Sequence, residues 1–137
     1  MDFMMSDRLT AHATVLLVED EVLLREGVQE VLEMSGYRVI GAADGLEALE
    51  WLEQVAVTLV ITDLIIPNMN GVEFVRIVRD KYPELPVIVA SGTTDAVIKR
   101  LGLESIHVPG ATASIRKPFK GTDLVALAQQ VLSVPVA

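Results

Sequence analysis

Cysteine is absent from this sequence of 137 residues, and aromatic residues make up only 4% of it. Without cysteine the chain can form neither disulfides nor thiolate metal sites, and nothing in it requires an oxidising compartment. With so few aromatic rings, the core must consist mainly of valine, leucine, isoleucine and alanine. The length is close to the commonest size of one domain, so a single domain is expected.

Long apolar runs and an excess of positive charge are also missing. No apolar run approaches the roughly 20 residues that cross a bilayer, and the first dozen residues lack the features of a secretion signal. We therefore expect a cytoplasmic protein without membrane contact. Nineteen acidic and eleven basic residues give a net charge of −8, which repels a phosphate backbone and argues against direct nucleic-acid binding.

Short runs rich in β-branched residues recur along the chain and predict five strands. Stretches with helical spacing separate them, so strands and helices alternate. Strands that are apolar throughout are typical of a parallel sheet covered by helices on both faces. The predicted strands are residues 15–18, 38–41, 58–62, 87–90 and 113–116.

Capping residues mark the predicted helices. Asp44 with Glu47, and Asn70 with Glu73, have the N-cap and N3 spacing that satisfies free N–H groups at a helix start. Gly36 is placed to end the first helix. The apolar residues expected to face the core from the first two helices are Val22, Leu24, Val28, Val31, Leu32, Leu46, Leu49 and Leu52.

Three further segments complete the predicted organisation. Residues 95–101 are expected to form a helix, and the last helix passes through residues 124–132. Between them, residues 102–112 contain two glycines and a proline and are predicted to form an irregular loop. We expect one domain over residues 14–133, with tails at residues 1–13 and 134–137.

Polar side chains follow four of the five predicted strands. Glu19 and Asp20 follow the first strand, Asp63 the third, Ser91 the fourth and Lys117 the fifth. Because ligand sites of open α/β sheets lie beyond the carboxyl ends of the strands, we expect these five side chains to meet.

The chemistry of this set points to a metal ion and a phosphoryl group. The neighbouring acids Glu19, Asp20 and Glu21 raise one another's pKa unless a cation joins them. Mg²⁺ prefers carboxylate oxygens and often shares them with a phosphate. Asp63 stands alone on a central strand and can attack a phosphoryl group, whose oxygens Lys117 and the metal would neutralise.

Four motifs resemble those of one known family. EDE follows the first strand, TDLIIPNMNG surrounds Asp63, SG follows the fourth strand and KPF follows the fifth. In order and spacing they are similar to the receiver domain of bacterial response regulators, over residues 15–132. The resemblance implies a flavodoxin-like, doubly wound fold with three α/β/α layers and strand order 2-1-3-4-5, for which the family is itself a standard example.

The resemblance also implies a role for each site residue. Asp63 would accept a phosphoryl group from a histidine kinase or a histidine phosphotransfer protein, while Ser91 and Lys117 would bond phosphoryl oxygens. The Mg²⁺ ligands would be Glu19, Asp20, Asp63 and the backbone carbonyl of Ile65. Such a protein switches a downstream protein target, which the sequence does not name, and is not an enzyme acting on outside substrates. A homodimer is left open.

Smaller family features have counterparts here. Gly92 would leave access to the site, and Pro67 and Gly71 fit the loop after the acceptor. The peptide bond between Lys117 and Pro118 is often cis in this family.

Two features depart from the family pattern. Ser114 stands where the family usually has a Tyr or Phe that turns inward on phosphorylation. The interval from position 91 to position 117 is 26 residues, a few more than usual, and it contains residues 102–112. We therefore hypothesise that phosphorylation acts by reshaping residues 102–112.

Several alternatives stay open at this stage. The chain could be a receiver segment of a hybrid histidine kinase or another multidomain regulator. A Mg²⁺-dependent aspartyl-phosphate phosphatase would usually have an acid two residues after the nucleophile, where Ile65 stands. A flavin-binding electron carrier would need a phosphate loop where this chain has carboxylates. Glu19, Asp20 and Glu21 could also simply be acids favoured by a helix dipole.

Overall fold

Strands and helices alternate strictly along residues 13–133, the part of the chain that the computed structural model describes. The strands are β1 (Thr14–Val18), β2 (Arg38–Ala42), β3 (Leu59–Thr62), β4 (Val87–Ser91) and β5 (Ala113–Arg116). The helices are α1 (Val22–Met34), α2 (Gly45–Gln54), α3 (Gly71–Lys81), α4 (Asp95–Arg100) and α5 (Gly121–Ser133). All five predicted strands are confirmed, with ends within one residue of the prediction.

The five strands form one parallel sheet in the order β2-β1-β3-β4-β5. This is the order that the family resemblance implied, and the flavodoxin-like fold is confirmed. Since every strand runs in the same direction, all five carboxyl ends lie at one edge of the sheet. That edge carries the candidate functional site.

Alternate residues of each strand supply two separate core layers. In β1, Val15 and Leu17 belong to the cluster that includes residues of α1 and α5, whereas Leu16 and Val18 belong to the cluster with residues of α2, α3 and α4. All four side chains are at most 4% exposed. The sheet is therefore covered on both faces, which is why its strands read as continuous apolar runs.

Both predicted helix N-caps are confirmed. The side chain of Asp44 accepts the N–H of Glu47 at 2.8 Å, and Asn70 accepts the N–H of Glu73 at the same distance. The Glu47 carboxylate accepts in turn from the N–H of Ala43 at 2.9 Å. The hydrogen bond from the Glu47 N–H lowers the pKa of Asp44. These local bonds set where α2 and α3 begin.

Gly36 ends α1, as predicted. Its φ of 98° lies in the left-handed region that glycine adopts without strain. The N–H of Gly36 donates to the carbonyl of Glu33 at 3.0 Å, and the N–H of Tyr37 donates to that of Leu32 at 3.2 Å. This pair of bonds is the Schellman arrangement, and buried Leu32 and Tyr37 lie on either side of it.

Three details of the sequence prediction were wrong. Val22 and Leu46 are 51% and 50% exposed, because each lies in the first turn of its helix, where the helix leaves the edge of the sheet. Ala13, assigned to the tail, is buried, and its carbonyl accepts the N–H of Arg38 at 3.0 Å. The rest of the predicted tails, residues 1–12 and 134–137, lies outside the described residues.

Residues 102–112 contain neither helix nor strand, as predicted. They are nevertheless packed, since Val108 is only 4% exposed. Leu103, Ile106 and Ala111 also contact the core cluster shared by α2, α3 and α4. Within residues 13–133, no helix combines the length and the apolar character that a membrane span requires.

Candidate functional site

The register of the sheet brings three predicted site residues to its carboxyl edge. Glu19, Asp63 and Lys117 each follow directly after a strand. The N–H of Glu19 donates to the carbonyl of Ala42 at 2.9 Å, that of Asp63 to Val18 at 3.1 Å, and that of Lys117 to Ser91 at 3.0 Å. Each residue is thus held by the neighbouring strand, and its side chain starts from a fixed backbone position.

An ammonium group bridges two of the carboxylates. Lys117 Nζ lies 2.7 Å from Asp63 Oδ2 and 2.8 Å from Glu19 Oε1. The three side chains are 20%, 14% and 8% exposed, in the order Lys117, Asp63 and Glu19. The prediction that acids from β1 and β3 meet the lysine after β5 is therefore confirmed by direct contact.

Burial and charge act against each other in this group. Burial raises the pKa of Glu19 above its ordinary value, and the hydrogen bond from Lys117 only partly offsets that effect. Burial alone would lower the pKa of Lys117, but its hydrogen bonds to Asp63 and Glu19 outweigh burial and raise it. Lys117 therefore stays a firmly charged ammonium that two carboxylates share.

Asp63 is oriented from both of its oxygens. Oδ1 accepts the N–H of Leu64 at 2.6 Å and that of Ile65 at 3.3 Å, while Oδ2 accepts from Lys117. The backbone of the following loop therefore fixes one carboxylate oxygen. The second oxygen is held by the Lys117 side chain instead of the backbone.

Ser91 is buried beside this group, with its hydroxyl engaged elsewhere. The residue is 1% exposed; its Oγ donates to Thr93 Oγ1 at 2.7 Å and accepts the Thr93 N–H at 3.1 Å. Sequence reasoning missed Thr93, although the run SGTT places a second hydroxyl within reach. Gly92 lies between them, and a Cβ there would come within 3.2 Å of Lys117 Cβ.

Of the other predicted metal ligands, Asp20 lies outside the buried group of Glu19, Asp63 and Lys117, whereas Ile65 adjoins that group through the bond from its N–H to Asp63 Oδ1. Asp20 and Glu21 are exposed, and Ile65 is 47% exposed. Glu21 instead donates its N–H to Glu19 Oε2 at 3.1 Å. Among residues 13–133, no three acidic or histidine side chains lie close enough together to hold a metal ion. In this arrangement the Lys117 ammonium bonds both Glu19 and Asp63.

Two contacts around the site join different elements of the fold. Arg25 Nη1 donates to the carbonyl of Glu19 at 2.6 Å, which ties α1 to the end of β1. Asn68, with a φ of 71°, donates from Nδ2 to Asp44 Oδ2 at 2.7 Å and so holds the loop after Asp63. No local sequence pattern marks either contact.

The loop after Asp63 closes on a glycine. The N–H of Gly71 donates to the carbonyl of Leu64 at 2.7 Å. A Cβ at position 71 would lie 2.6 Å from Leu64 O and 2.8 Å from Asp63 O. These neighbours are backbone atoms that cannot turn aside, so only glycine fits without moving the acceptor.

Gly71→Ala should therefore destabilise the protein. We expect a loss of about 2 kcal/mol in the free energy of unfolding, as for other overpacked positions. Gly27→Ala is the control, because a Cβ there meets nothing within 4 Å and alanine favours the helix. Urea unfolding measures both variants, and equal stabilities would contradict the backbone contact.

A groove beside the site is lined mainly by apolar side chains. It has a volume of about 500 Å³ and lies between α1 and the chain from Lys117 to α5. Leu23, which is 80% exposed, lies on its wall. The groove thus places an apolar surface directly next to the lysine of the site.

Comparison with known proteins gives a consistent result. The family profile described as "Response regulator receiver domain" matches residues 15–129. The transcriptional regulatory protein CseB of Streptomyces coelicolor is 37% identical over 118 residues, which cover 86% of this chain and 48% of CseB. The sensor kinase CckA of Brucella abortus is 33% identical over 126 residues, covering 90% of this chain and 13% of that kinase.

A solved structure supports the same relationship. The chemotaxis response regulator CheY4 of Vibrio cholerae has a TM-score of 0.74 and 35% identity, with 88% of this chain and 98% of that chain covered. The similarity to this chain therefore extends over nearly the whole length of CheY4. By contrast, this chain spans about half the length of CseB.

Proposed function

The chain belongs to the response regulator receiver family, and from that premise we propose that it is a switch phosphorylated on Asp63. The observation that carries the proposal is the bridge from Lys117 Nζ to Asp63 Oδ2, at 2.7 Å, beside buried Glu19. A carboxylate held by backbone bonds on one oxygen and by an ammonium on the other is oriented for attack.

The reaction is a transfer of one phosphoryl group. Asp63 Oδ2 forms the new bond to phosphorus, and the bond from phosphorus to the donor's histidine nitrogen breaks, with the electron pair leaving on the nitrogen. Lys117 can stabilise the transferred group, because its ammonium can bond a phosphoryl oxygen in place of Oδ2. The Ser91 hydroxyl can leave Thr93 and donate to another phosphoryl oxygen.

The donor types of the site fit Mg²⁺. Glu19, Asp63 and neighbouring Asp20 formally carry three negative charges against the single positive charge of Lys117. A divalent cation would balance the remainder, and these carboxylates with the Ile65 carbonyl would hold it once the exposed Asp20 side chain approaches. When bound, Mg²⁺ supplies charge neutralisation at the phosphoryl oxygens.

Mg²⁺ binding should therefore depend on Asp20. We expect Asp20→Asn to weaken Mg²⁺ binding about tenfold or more, within the range of losses seen around metal sites. Glu21→Gln, the same charge change one residue further on, should leave the affinity unchanged. Isothermal titration with Mg²⁺ alone measures both, and equal losses would show that only the general negative charge matters.

The partner proposed for phosphorylation is a histidine kinase or a histidine phosphotransfer protein. The groove beside Lys117 supports this, because its apolar wall could seat a helix that carries the phosphohistidine. The chain spans only part of its relatives, one of which is a sensor kinase, so it could act alone or within a longer regulator. We place its action in the cytoplasm.

A direct experiment tests the proposed function. The protein is incubated with Mg²⁺ and a small acyl phosphate, and the intact mass is measured. The switch predicts a gain of one phosphoryl group per chain, abolished by EDTA. Continuous release of phosphate over many turnovers would instead favour the aspartyl-phosphate phosphatase, although apolar Ile65 stands where that enzyme would usually have its second acid.

A further inference from the structure

Residues 64–70, here called the acceptor loop, connect Asp63 to α3 and lie against the start of α2. A Cβ at Gly45 would come within 2.8 Å of Met69 Cγ and 3.4 Å of Ile66 Cδ1. Ile66 is only 7% exposed, and Gly45 is buried as well. The acceptor loop therefore packs closely on the first residue of α2.

One hydrogen bond between side chains closes this contact. Asn68 Nδ2 donates to Asp44 Oδ2 at 2.7 Å, and this bond is here called the clasp. Asp44 Oδ1 is already held, since it accepts the N–H of Glu47 as the N-cap of α2. Asn68 has a φ of 71°, a left-handed conformation that asparagine adopts more readily than most residues. Because both partners are oriented by their own surroundings, little conformational entropy is lost when the clasp forms.

The clasp joins two segments that carry different groups of the proposed metal site. Asp44 lies two residues after the end of β2 at Ala42, whose carbonyl accepts the N–H of Glu19 at 2.9 Å. Asn68 lies three residues after Ile65, whose carbonyl is a proposed Mg²⁺ ligand. The clasp therefore ties the strand end that holds one ligand residue to the loop that carries another.

Mg²⁺ makes strict demands on the positions of its ligands. It requires nearly ideal octahedral geometry, with distances of about 2.0–2.1 Å to its oxygen ligands. Ile65 is 47% exposed, so packing of its own side chain does little to place its carbonyl. Buried Leu64 and Ile66 and the clasp restrain the backbone on either side of it.

We propose that Asp44 and Asn68 are positioning residues for Mg²⁺: through the clasp they keep the Ile65 carbonyl where a bound ion needs it. This inference rests on the proposed function, because it concerns the same ion at the same site. Neither side chain would touch the ion. Without the clasp, ion binding would first have to order the acceptor loop, and the entropy lost in that ordering would weaken the affinity.

Isothermal titration of the full chain with Mg²⁺ alone tests the clasp. Asn68→Gly removes the amide but still allows the left-handed backbone conformation. Asp44→Ser keeps a hydroxyl that caps α2 but removes the oxygen that Asn68 bonds. Each variant should bind Mg²⁺ about fivefold more weakly. This loss is smaller than the tenfold or greater loss typical of direct partners of metal ligands, because the clasp acts through the backbone.

The charge lost in Asp44→Ser is controlled by Asp44→Asn. This variant removes the same negative charge, but its amide can still cap α2 and can pair with the amide of Asn68 once that amide turns over. Asp44→Asn should therefore bind Mg²⁺ more tightly than Asp44→Ser does. Equal losses in the two variants would overturn the inference, since charge alone would then explain them.

The two residues should act through one bond. The double variant Asp44→Ser with Asn68→Gly should bind Mg²⁺ no more weakly than the weaker single variant, because the clasp can be lost only once. Additive losses would overturn the inference, and so would wild-type affinity in both single variants. Urea unfolding shows which variants fold, and Asp44→Ser with Asp44→Asn provides the test if Asn68→Gly does not. A merely structural role would lower the stability and leave the affinity of the folded protein for Mg²⁺ unchanged.

The two proposals fail in different ways. If Mg²⁺ binding is weakened by Asp20→Asn but not by the clasp variants, the clasp inference is wrong while the proposed metal site stands. If the wild type binds no Mg²⁺, or if Asp20→Asn and Asp63→Asn leave the affinity unchanged, the proposed function itself is wrong.

Discussion

Asp63→Asn should gain no phosphoryl group when incubated with Mg²⁺ and an acyl phosphate, under conditions in which the wild type gains one. The amide removes the negative charge and the nucleophilic oxygen pair, while its size and its contacts with Leu64 and Ile65 can be kept. Intact mass measurement gives the result directly, because the expected change is from full modification to none.

The matched control is Asp80→Asn, at an exposed acid on α3. This variant should be phosphorylated like the wild type. Phosphorylation of Asp63→Asn would place the acceptor elsewhere. Loss of phosphorylation in both variants would show that the assay responds to net charge or to folding. Unfolding curves of the two variants distinguish these two causes.

Lys117→Met should lower the free energy of unfolding by about 3 kcal/mol near neutral pH, in the presence of EDTA, as expected when one partner of a buried ion pair is removed. Methionine keeps much of the side-chain volume but leaves the carboxylates of Glu19 and Asp63 together without a cation. Because both carboxylates are less than 15% exposed, solvent screens their repulsion poorly.

The stability lost in Lys117→Met should become smaller as the pH falls. Burial already raises the pKa of Glu19 in the folded state above its ordinary value of 4.5, so the folded state binds this proton more tightly than the unfolded state does. As the pH rises from 4.5 through the higher pKa of folded Glu19, ionisation of this carboxyl therefore lowers the free energy of unfolding. Without Lys117 the pKa rises further, and acidification removes the repulsion that the variant suffers.

A second lysine provides the control for this prediction. Lys81 Nζ lies 3.7 Å from Glu53 Oε1, but the two side chains are 54% and 65% exposed. Lys81→Met should therefore change the stability by less than about 1 kcal/mol, as is usual for surface ion pairs. Equal losses in Lys81→Met and Lys117→Met would contradict the importance of the buried bridge.

Local features of the fold could be predicted from the sequence because they depend on neighbouring residues. Strand runs and helix spacing located the ten elements, and the N-caps Asp44 and Asn70 lie where the spacing predicted. Two of the three errors fell at Val22 and Leu46, where periodicity continues but the sheet that would cover the side chain has ended. The strand order came from the family resemblance, since all five strands carry the same apolar pattern.

The meeting of the site residues at one edge of the sheet was also predictable, but the partner of each polar atom was not. Glu19, Asp63, Ser91 and Lys117 follow strand ends, and parallel strands bring those ends to one edge. In the structure Lys117 bonds two of the carboxylates, and the Ser91 hydroxyl bonds Thr93. Such choices depend on distances of a few ångströms between side chains, which strand and helix patterns do not encode.

The sequence by itself determined the alternating elements, the acidic character and the set of groups at the strand ends, because periodicity, capping and charge are properties of short stretches. Only the tertiary structure decided that Lys117 bonds both Glu19 and Asp63, and that Arg79 bonds the Gly110 carbonyl. These partners lie 98 and 54 residues apart at the lysine and 31 residues apart between Arg79 and Gly110. Contacts over such separations form only when the sheet register and the packed helices bring the side chains together.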